Sequence, residues 1–200
     1  MRNTRTLVLV EAALAVALSV VLNLLAMRLP IHIAGGSISL TMLPIALVAL
    51  RRGSVAGAAA GTIFGFLDLL MEPFILVPAQ VALDYPVPYL LFGLGVGLFS
   101  GLYHKGVGKP TTNPILSGSA VLVCAVLVGG VLRYVTHVLS GVLFFAEYAG
   151  DQNVWAYSLI YNISYLGPSL AVSLVCALLI LPILNHAVPV VSSRKKEAHA

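Results

Sequence analysis

Long apolar runs, broken only by short polar or Gly/Pro stretches, constrain this chain more than any other feature. They cover residues 7–27, 38–50, 54–70, 80–103, 115–145 and 155–188. At about 1.5 Å of helical rise per residue, most can cross a hydrocarbon core of roughly 30 Å. Charged residues make up 9% of the chain and hydrophobic ones 60%. Soluble domains carry roughly 25% charged residues, so this chain has too few to cover a water-facing surface. The pattern predicts one all-α integral membrane domain over residues 1–200, with six transmembrane helices. The 38–50 run is short and interrupted by Pro44. The 80–103 run has Pro86 and Pro88 near its start, so its helix is expected to kink or begin late. The first run shows no cleavage site and is read as a span rather than a signal peptide.

Six spans put both termini on one side. With the N-terminus in the cytoplasm, Arg2, Arg5, Arg51, Arg52, Lys105, Lys109, Arg194, Lys195 and Lys196 fall inside, nine of the eleven Lys and Arg residues. Only Arg28 falls outside, and Arg133 lies within a span. The positive-inside rule therefore predicts a multi-pass protein of the cell membrane with both termini cytoplasmic. The net charge of +4 follows from topology. It forms no basic patch interleaved with aromatics, so no nucleic-acid partner is expected. In this orientation Glu72, Asp84, Glu147 and Asp151 lie at or near the outer face.

Small residues recur at helical spacing. Gly53, Gly57, Gly61 and Gly65 stand four apart, as do Gly93, Gly97 and Gly101. Such stripes let membrane helices approach closely, and internal packing of spans three and four explains them. Ala13 and Ala17 repeat the spacing on span one, where an external partner helix competes with internal packing. Cys124 and Cys176 sit in apolar stretches without metal-ligand spacing and read as packing residues.

The functional signal concentrates in residues 137–165, HVLSGVLFFAEYAGDQNVWAYSLIYNISY. Two apolar runs meet there at a short polar loop, with His137, Phe144, Phe145, Glu147, Tyr148, Trp155, Tyr157, Tyr161 and Asn162 gathered around it. An interfacial aromatic belt accounts for Trp155 and Tyr157. It does not account for Tyr165, which lies roughly 15 Å deeper at helical rise. Asn162 needs a partner for its amide. Ionisable groups inside the hydrocarbon are costly and mark function by default; here they are Asp68, Asp84, Arg133 and His137. Arg133 and His137 share a helix face. Arg133 either pairs with Asp68 or a helix-end carbonyl, or serves a ligand. Asp84, in the sequence LDYP beside Tyr85 and Tyr89, suits a ligand role or a wetted interface. A carboxylate, an imidazole, an amide and several aromatic faces at one depth fit a flat, cationic, hydrogen-bonding ring.

Catalytic chemistries find no support. HVLSG carries Val138 where an intramembrane serine protease needs Gly, there is no HExxH, and the histidines have no metal spacing. GVGKP at 106–110 lacks the leading Gly and the Ser/Thr of a phosphate loop. No metal, cofactor or catalytic residue is expected. An intramembrane enzyme using His137 with a carboxylate is the contrasting possibility.

GGSISLTMLPIALVALRRG (35–53), LDYP (83–86), RYVTHVLSGVLFFAEYA (133–149) and VWAYSLIYNISYLGPSL (154–170) together resemble the thiamine-specific S-component of bacterial energy-coupling-factor (ECF) vitamin transporters. The resemblance implies a six-helix membrane fold that binds thiamine at the outer face. It also implies docking on an ECF transmembrane coupling subunit that carries two ATPase subunits, through an AxxxA face matched by Ala13 and Ala17. Carried position by position, it implies ligand roles for Asp84, Tyr85, His137, Phe145, Tyr157 and Asn162, with Phe74, Trp155 and Tyr161 as lesser candidates. Phe145 would stack on a thiamine ring. A related S-component for another vitamin or for a thiamine precursor is the neighbouring possibility. Two departures stand out. Some members have a lid Trp before GGS, where this chain reads PIHIAGG, and Phe74 replaces a Tyr found in some members.

Overall fold

The computed structural model describes residues 4–28, 32–33, 36–106 and 118–187. In chain order it contains α1 (Thr4–Arg28), a ribbon of β1 (His32–Ile33) and β2 (Gly36–Ser37), α2 (Met42–Arg52), α3 (Ser54–Met71), α4 (Pro78–Asp84), α5 (Pro86–Gly97), α6 (Ser100–Gly106), α7 (Gly118–Phe144), a single 3-10 turn (Ala146–Ala149) and α8 (Val154–Ala187). Apart from the ribbon, in which His32 opposes Ser37, the regular structure of the described residues is helical.

Five helices among the described residues are long and apolar enough to cross a membrane. They are α1, α3, the stack α4–α5–α6, α7 and α8. The expected second span departs from that length. Its helix, α2, runs Met42–Arg52, about 16 Å at helical rise. It compensates by burial: Met42, Ile45, Ala49 and Leu50 are all sealed in the core, with α1, α3, α5 and α8 packed around it. Pro44 does not interrupt α2. It sits in the first turn, where the backbone N–H has no intrahelical partner to lose.

Prolines also set the breaks in the 78–106 stack. Pro78 and Pro86 stand in the first turns of α4 and α5, positions that suit a fixed φ. Tyr85, between them, leaves helical geometry at φ −116° and ψ −80°. The stack continues past the expected end at 103, so His104 and Lys105 lie in α6 rather than in a loop. There His104 Nε2 lies 3.1 Å from the carbonyl oxygen of Arg51. The expected boundaries at 115–117 and 188 lie outside the described residues, as do 29–31 and 34–35 of the loop where some members of the resembled family carry a lid Trp.

Close backbone approach holds the bundle together. Cβ atoms added at Gly57, Gly61 and Gly65 would strike the backbone at Gly93, Tyr89 and Tyr85 respectively, and one at Gly97 would strike Ser54. The α3–α5 contact is thus built on missing side chains, as membrane helices without a hydrophobic drive between them require. Gly101 is different: a Cβ there meets nothing within 4 Å among the described residues, so the third member of its stripe does not seat α3. At the far end of α2, Arg52 donates to both carboxylate oxygens of Glu11 on α1, its Nε at 2.7 Å from Oε2. Outward-facing Leu9, Leu14, Val21 and Leu25 on α1, and Ile63, Phe66 and Leu70 on α3, are exposed apolar side chains, the surface that suits lipid.

Gly61→Ala is expected to lower the melting temperature in detergent by several degrees, an overpacking cost of roughly 1–3 kcal/mol. Gly101→Ala should leave it unchanged. Equal melting of both variants would contradict the close α3–α5 contact.

Candidate functional site

The break at Tyr85 and the junction of α7 with α8 open onto a common cavity of about 570 Å³. That is within the range of small-molecule sites, roughly 300–1,000 Å³. Its wall brings together Asp84, Tyr85, His137, Phe145, Tyr157, Tyr161, Asn162 and Phe74, residues singled out in the sequence and separated there by up to 88 positions. Glu72, Tyr148, Gly141, Ser158 and Tyr165 line it as well, together with Asp68. Trp155 does not: it is half exposed at the start of α8, outside the lining. Glu147 is exposed too.

Each wall has a local cause. Gly141 lets α8 approach α7 so closely that an added Cβ would strike Ser158 Oγ. Ser158 Oγ in turn donates to the Val138 carbonyl at 2.9 Å. This contact brings Asn162, one turn further, against α7. Asn162 Nδ2 donates to the Ser158 carbonyl at 2.9 Å, and Oδ1 accepts from Tyr165 OH at 2.9 Å. The buried amide and the deep tyrosine thus solve each other's hydrogen-bonding problem. An amide oxygen has two lone pairs, so Oδ1 keeps one beyond the Tyr165 bond.

The aromatic surface forms two ladders. Phe74 stacks on Phe145 at 5.9 Å between centroids, and Tyr148 tilts against Phe145 at 6.0 Å. Along α8, Tyr157 stacks on Tyr161 at 5.9 Å, and Tyr161 meets Tyr165 edge-on at 5.8 Å. Tyr85 borders the cavity, but its hydroxyl is occupied. It accepts from the Phe74 N–H at 2.9 Å and donates to the Glu72 carbonyl at 2.8 Å, which ties the 72–77 loop to the helix break.

The polar groups continue inward. A smaller chamber of about 140 Å³ shares Asp68, Glu72, Asp84, His137 and Tyr165 with the main cavity. His137 Nδ1 stands 3.9 Å from Asp84 Oδ1. Arg133 Nε donates to His137 Nε2 at 3.4 Å. With that lone pair engaged, the ring proton belongs on Nδ1, facing the carboxylate. Arg133 lies with its guanidinium 4.0 Å from the Tyr89 ring centroid, a cation–π arrangement. Tyr89 OH donates to Asp68 Oδ2 at 3.2 Å, and Asn23 Nδ2 of α1 donates to Asp68 Oδ1 at 2.7 Å. The pairing of Arg133 with Asp68 anticipated from sequence therefore runs through a tyrosine, its face to the cation and its hydroxyl to the acid.

Comparison with known proteins decides the family. The model of the family described as "Thiamine transporter protein (Thia_YuaJ)" matches residues 9–189. The chain belongs to this thiamine transporter family. Among curated relatives of the family, the thiamine transporter ThiT of Bacillus subtilis (strain 168) is 33% identical over 183 residues, spanning 90% of this chain and 92% of that protein. The ThiT of Lacticaseibacillus paracasei is 31% identical over 196 residues, 94% of this chain and 91% of the relative. A solved structure of ThiT from Listeria monocytogenes superposes with a TM-score of 0.71 at 27% identity, covering 94% of this chain and 97% of that one. Membership in a transporter family sets aside the intramembrane-enzyme reading, and the helices long enough to cross a membrane fit the family's multi-pass character.

Proposed function

We propose that this protein captures thiamine from the outer side of the membrane, in the cavity between α4, α7 and α8, as the S-component of an ECF transporter. The observation that carries the reading is the charge balance of the site. Among the described residues, Asp68, Glu72 and Asp84 border both chambers, against the one guanidinium of Arg133. Carboxylates in excess, walled by aromatic rings, attract a flat cation, and the thiazolium of thiamine is one. Asp84 supplies counter-charge or accepts from the aminopyrimidine. The Phe74–Phe145 pair offers a face for stacking. His137, Tyr157 and the free lone pair of Asn162 hold polar edges. Tyr161 extends the aromatic wall, and Tyr85 acts by holding the Phe74 loop.

Delivery follows from the same reading. Ala13 and Ala17 lie on the exposed face of α1, where small side chains would let a helix of the coupling subunit approach closely. That subunit would carry the two ATPase subunits. The chain would cross the membrane six times, with α2 as the short crossing, and both termini would be cytoplasmic. The distribution of Arg and Lys supports that orientation. A cysteine introduced at the Arg51-Arg52 turn should then resist an impermeant thiol reagent added to intact cells; ready labelling there would reverse the topology.

Calorimetric titration of the purified chain with thiamine should show saturable binding. Asp84→Asn should weaken it by about tenfold to a hundredfold, the loss of roughly 1.4–3 kcal/mol of charge interaction. An unchanged Kd would remove Asp84 from the site. Ala13→Trp should leave thiamine binding intact in the purified chain and abolish uptake by cells carrying the coupling module. Persisting uptake would exclude α1 as the docking face.

A further inference from the structure

Among the described residues, Gln80 is the one fully buried amide near the cavity that the ligand-binding reading does not use. It lies on α4, one turn before Asp84, with 0% of its surface exposed. Its orientation is settled by chemistry. The Leu76 backbone N–H can only donate, and it points at Gln80 Oε1 from 3.0 Å. The other end of the amide must therefore be Nε2, which has two hydrogens. One goes to the Phe74 carbonyl at 3.2 Å and the other to Asp84 Oδ2 at 2.5 Å.

Every polar site of this side chain is aimed at an element of the cavity wall. The 72–77 loop has no regular structure and exposes Phe74, Ile75, Leu76 and Val77, so beyond the Phe74–Phe145 stack its apolar side chains give it little hold. Gln80 grips its backbone at the Phe74 carbonyl and the Leu76 N–H, while the Tyr85 hydroxyl accepts from the Phe74 N–H. The Phe74 ring is thereby held against Phe145. The same amide takes one oxygen of Asp84 and leaves Oδ1 directed towards His137. A carboxylate fixed this way has one edge satisfied and one edge free for a cation, with its rotamer entropy already spent.

We propose that Gln80 is a positioning residue for the cationic ligand. It orients the Asp84 carboxylate and couples that orientation to the loop bearing Phe74, so that counter-charge and aromatic face are set together. This inference rests on the reading of Asp84 as the ligand's counter-charge, and the test separates the two.

The test is a double-mutant cycle on the purified full-length chain, with thiamine as the probe, read by calorimetry alongside thermal melting. Gln80→Glu keeps the acceptor for Leu76 but replaces the donor to Asp84 and to the Phe74 carbonyl with a second acid. It should weaken thiamine binding by about tenfold or more. In the Asp84→Asn background, where no carboxylate is left at 84 to orient, the same change should cost less than about threefold further. Gln80→Leu, which only removes the hydrogen bonds, should cost about tenfold in the native background and less than about threefold in the Asp84→Asn background. Either substitution serves alone if the other fails to fold. Losses that simply multiply with that of Asp84→Asn would overturn the proposal and leave Gln80 a packing residue, as would unchanged affinity in both Gln80 variants. Unchanged affinity in Asp84→Asn itself would instead strike the ligand-binding reading.

Discussion

A carboxylate inside a bundle surrounded by lipid is costly to keep charged, and the arrangement of this molecule follows from meeting that cost. Insertion scales put a central acid or base at about 2.5–3.5 kcal/mol, and burial without partners costs more. Asp68 is met by Tyr89 and Asn23, and Arg133 by the Tyr89 face and His137. Among the described residues, Asp84 accepts a hydrogen bond from Gln80 on one oxygen only. Both acids border the main cavity, but Asp68 accepts protein hydrogen bonds on both oxygens, whereas Asp84 keeps Oδ1 beside the His137 imidazole at 3.9 Å. That asymmetry supports the proposed division between a structural acid, Asp68, and a ligand-binding one, Asp84. It also places the site where α4 stops and the α7–α8 junction opens.

The backbone makes this possible by coming unusually close in some places and breaking in others. Glycines on α3 seat α5 without intervening side chains, which brings Asp68 within reach of Tyr89. Gly141 does the same for α8 against α7. The break at Tyr85, enforced by Pro86, frees the tyrosine hydroxyl to reach across to residues 72–74. The chain of contacts from Asn23 on α1 through Asp68, Tyr89, Arg133 and His137 to Asp84 physically joins the helix that carries Ala13 and Ala17 to the cavity.

Much of this was legible in the residues alone, for physical reasons. Apolar runs report span length directly, and glycines four apart report close helices. A cluster of rings and polar groups in an otherwise oily chain points to a cavity where, as at Asn162 and Tyr165, it lies too deep for an interfacial belt. What stayed hidden were relations between distant segments. The burial of α2 on all sides is set by its neighbours and not by its own pattern. The link from Asp68 to Arg133 runs through a tyrosine on a third helix, which no spacing rule encodes. Trp155 shares a helical register with Asn162 yet stands outside the lining, since the two differ in depth. Gln80 is uncharged and carries no signal of its own in an apolar run, although its spacing four residues before Asp84 places the two on one helix face.

The most direct test is a crystal structure of the protein grown with thiamine, with the thiazolium sulfur located by its anomalous signal. The account places that sulfur inside the main cavity, with the ring cation within about 4–6 Å of the Asp84 carboxylate and a ring of the vitamin against the Phe74–Phe145 wall. A sulfur peak outside the cavity, or a bound vitamin whose cation faces away from Asp84, would contradict it.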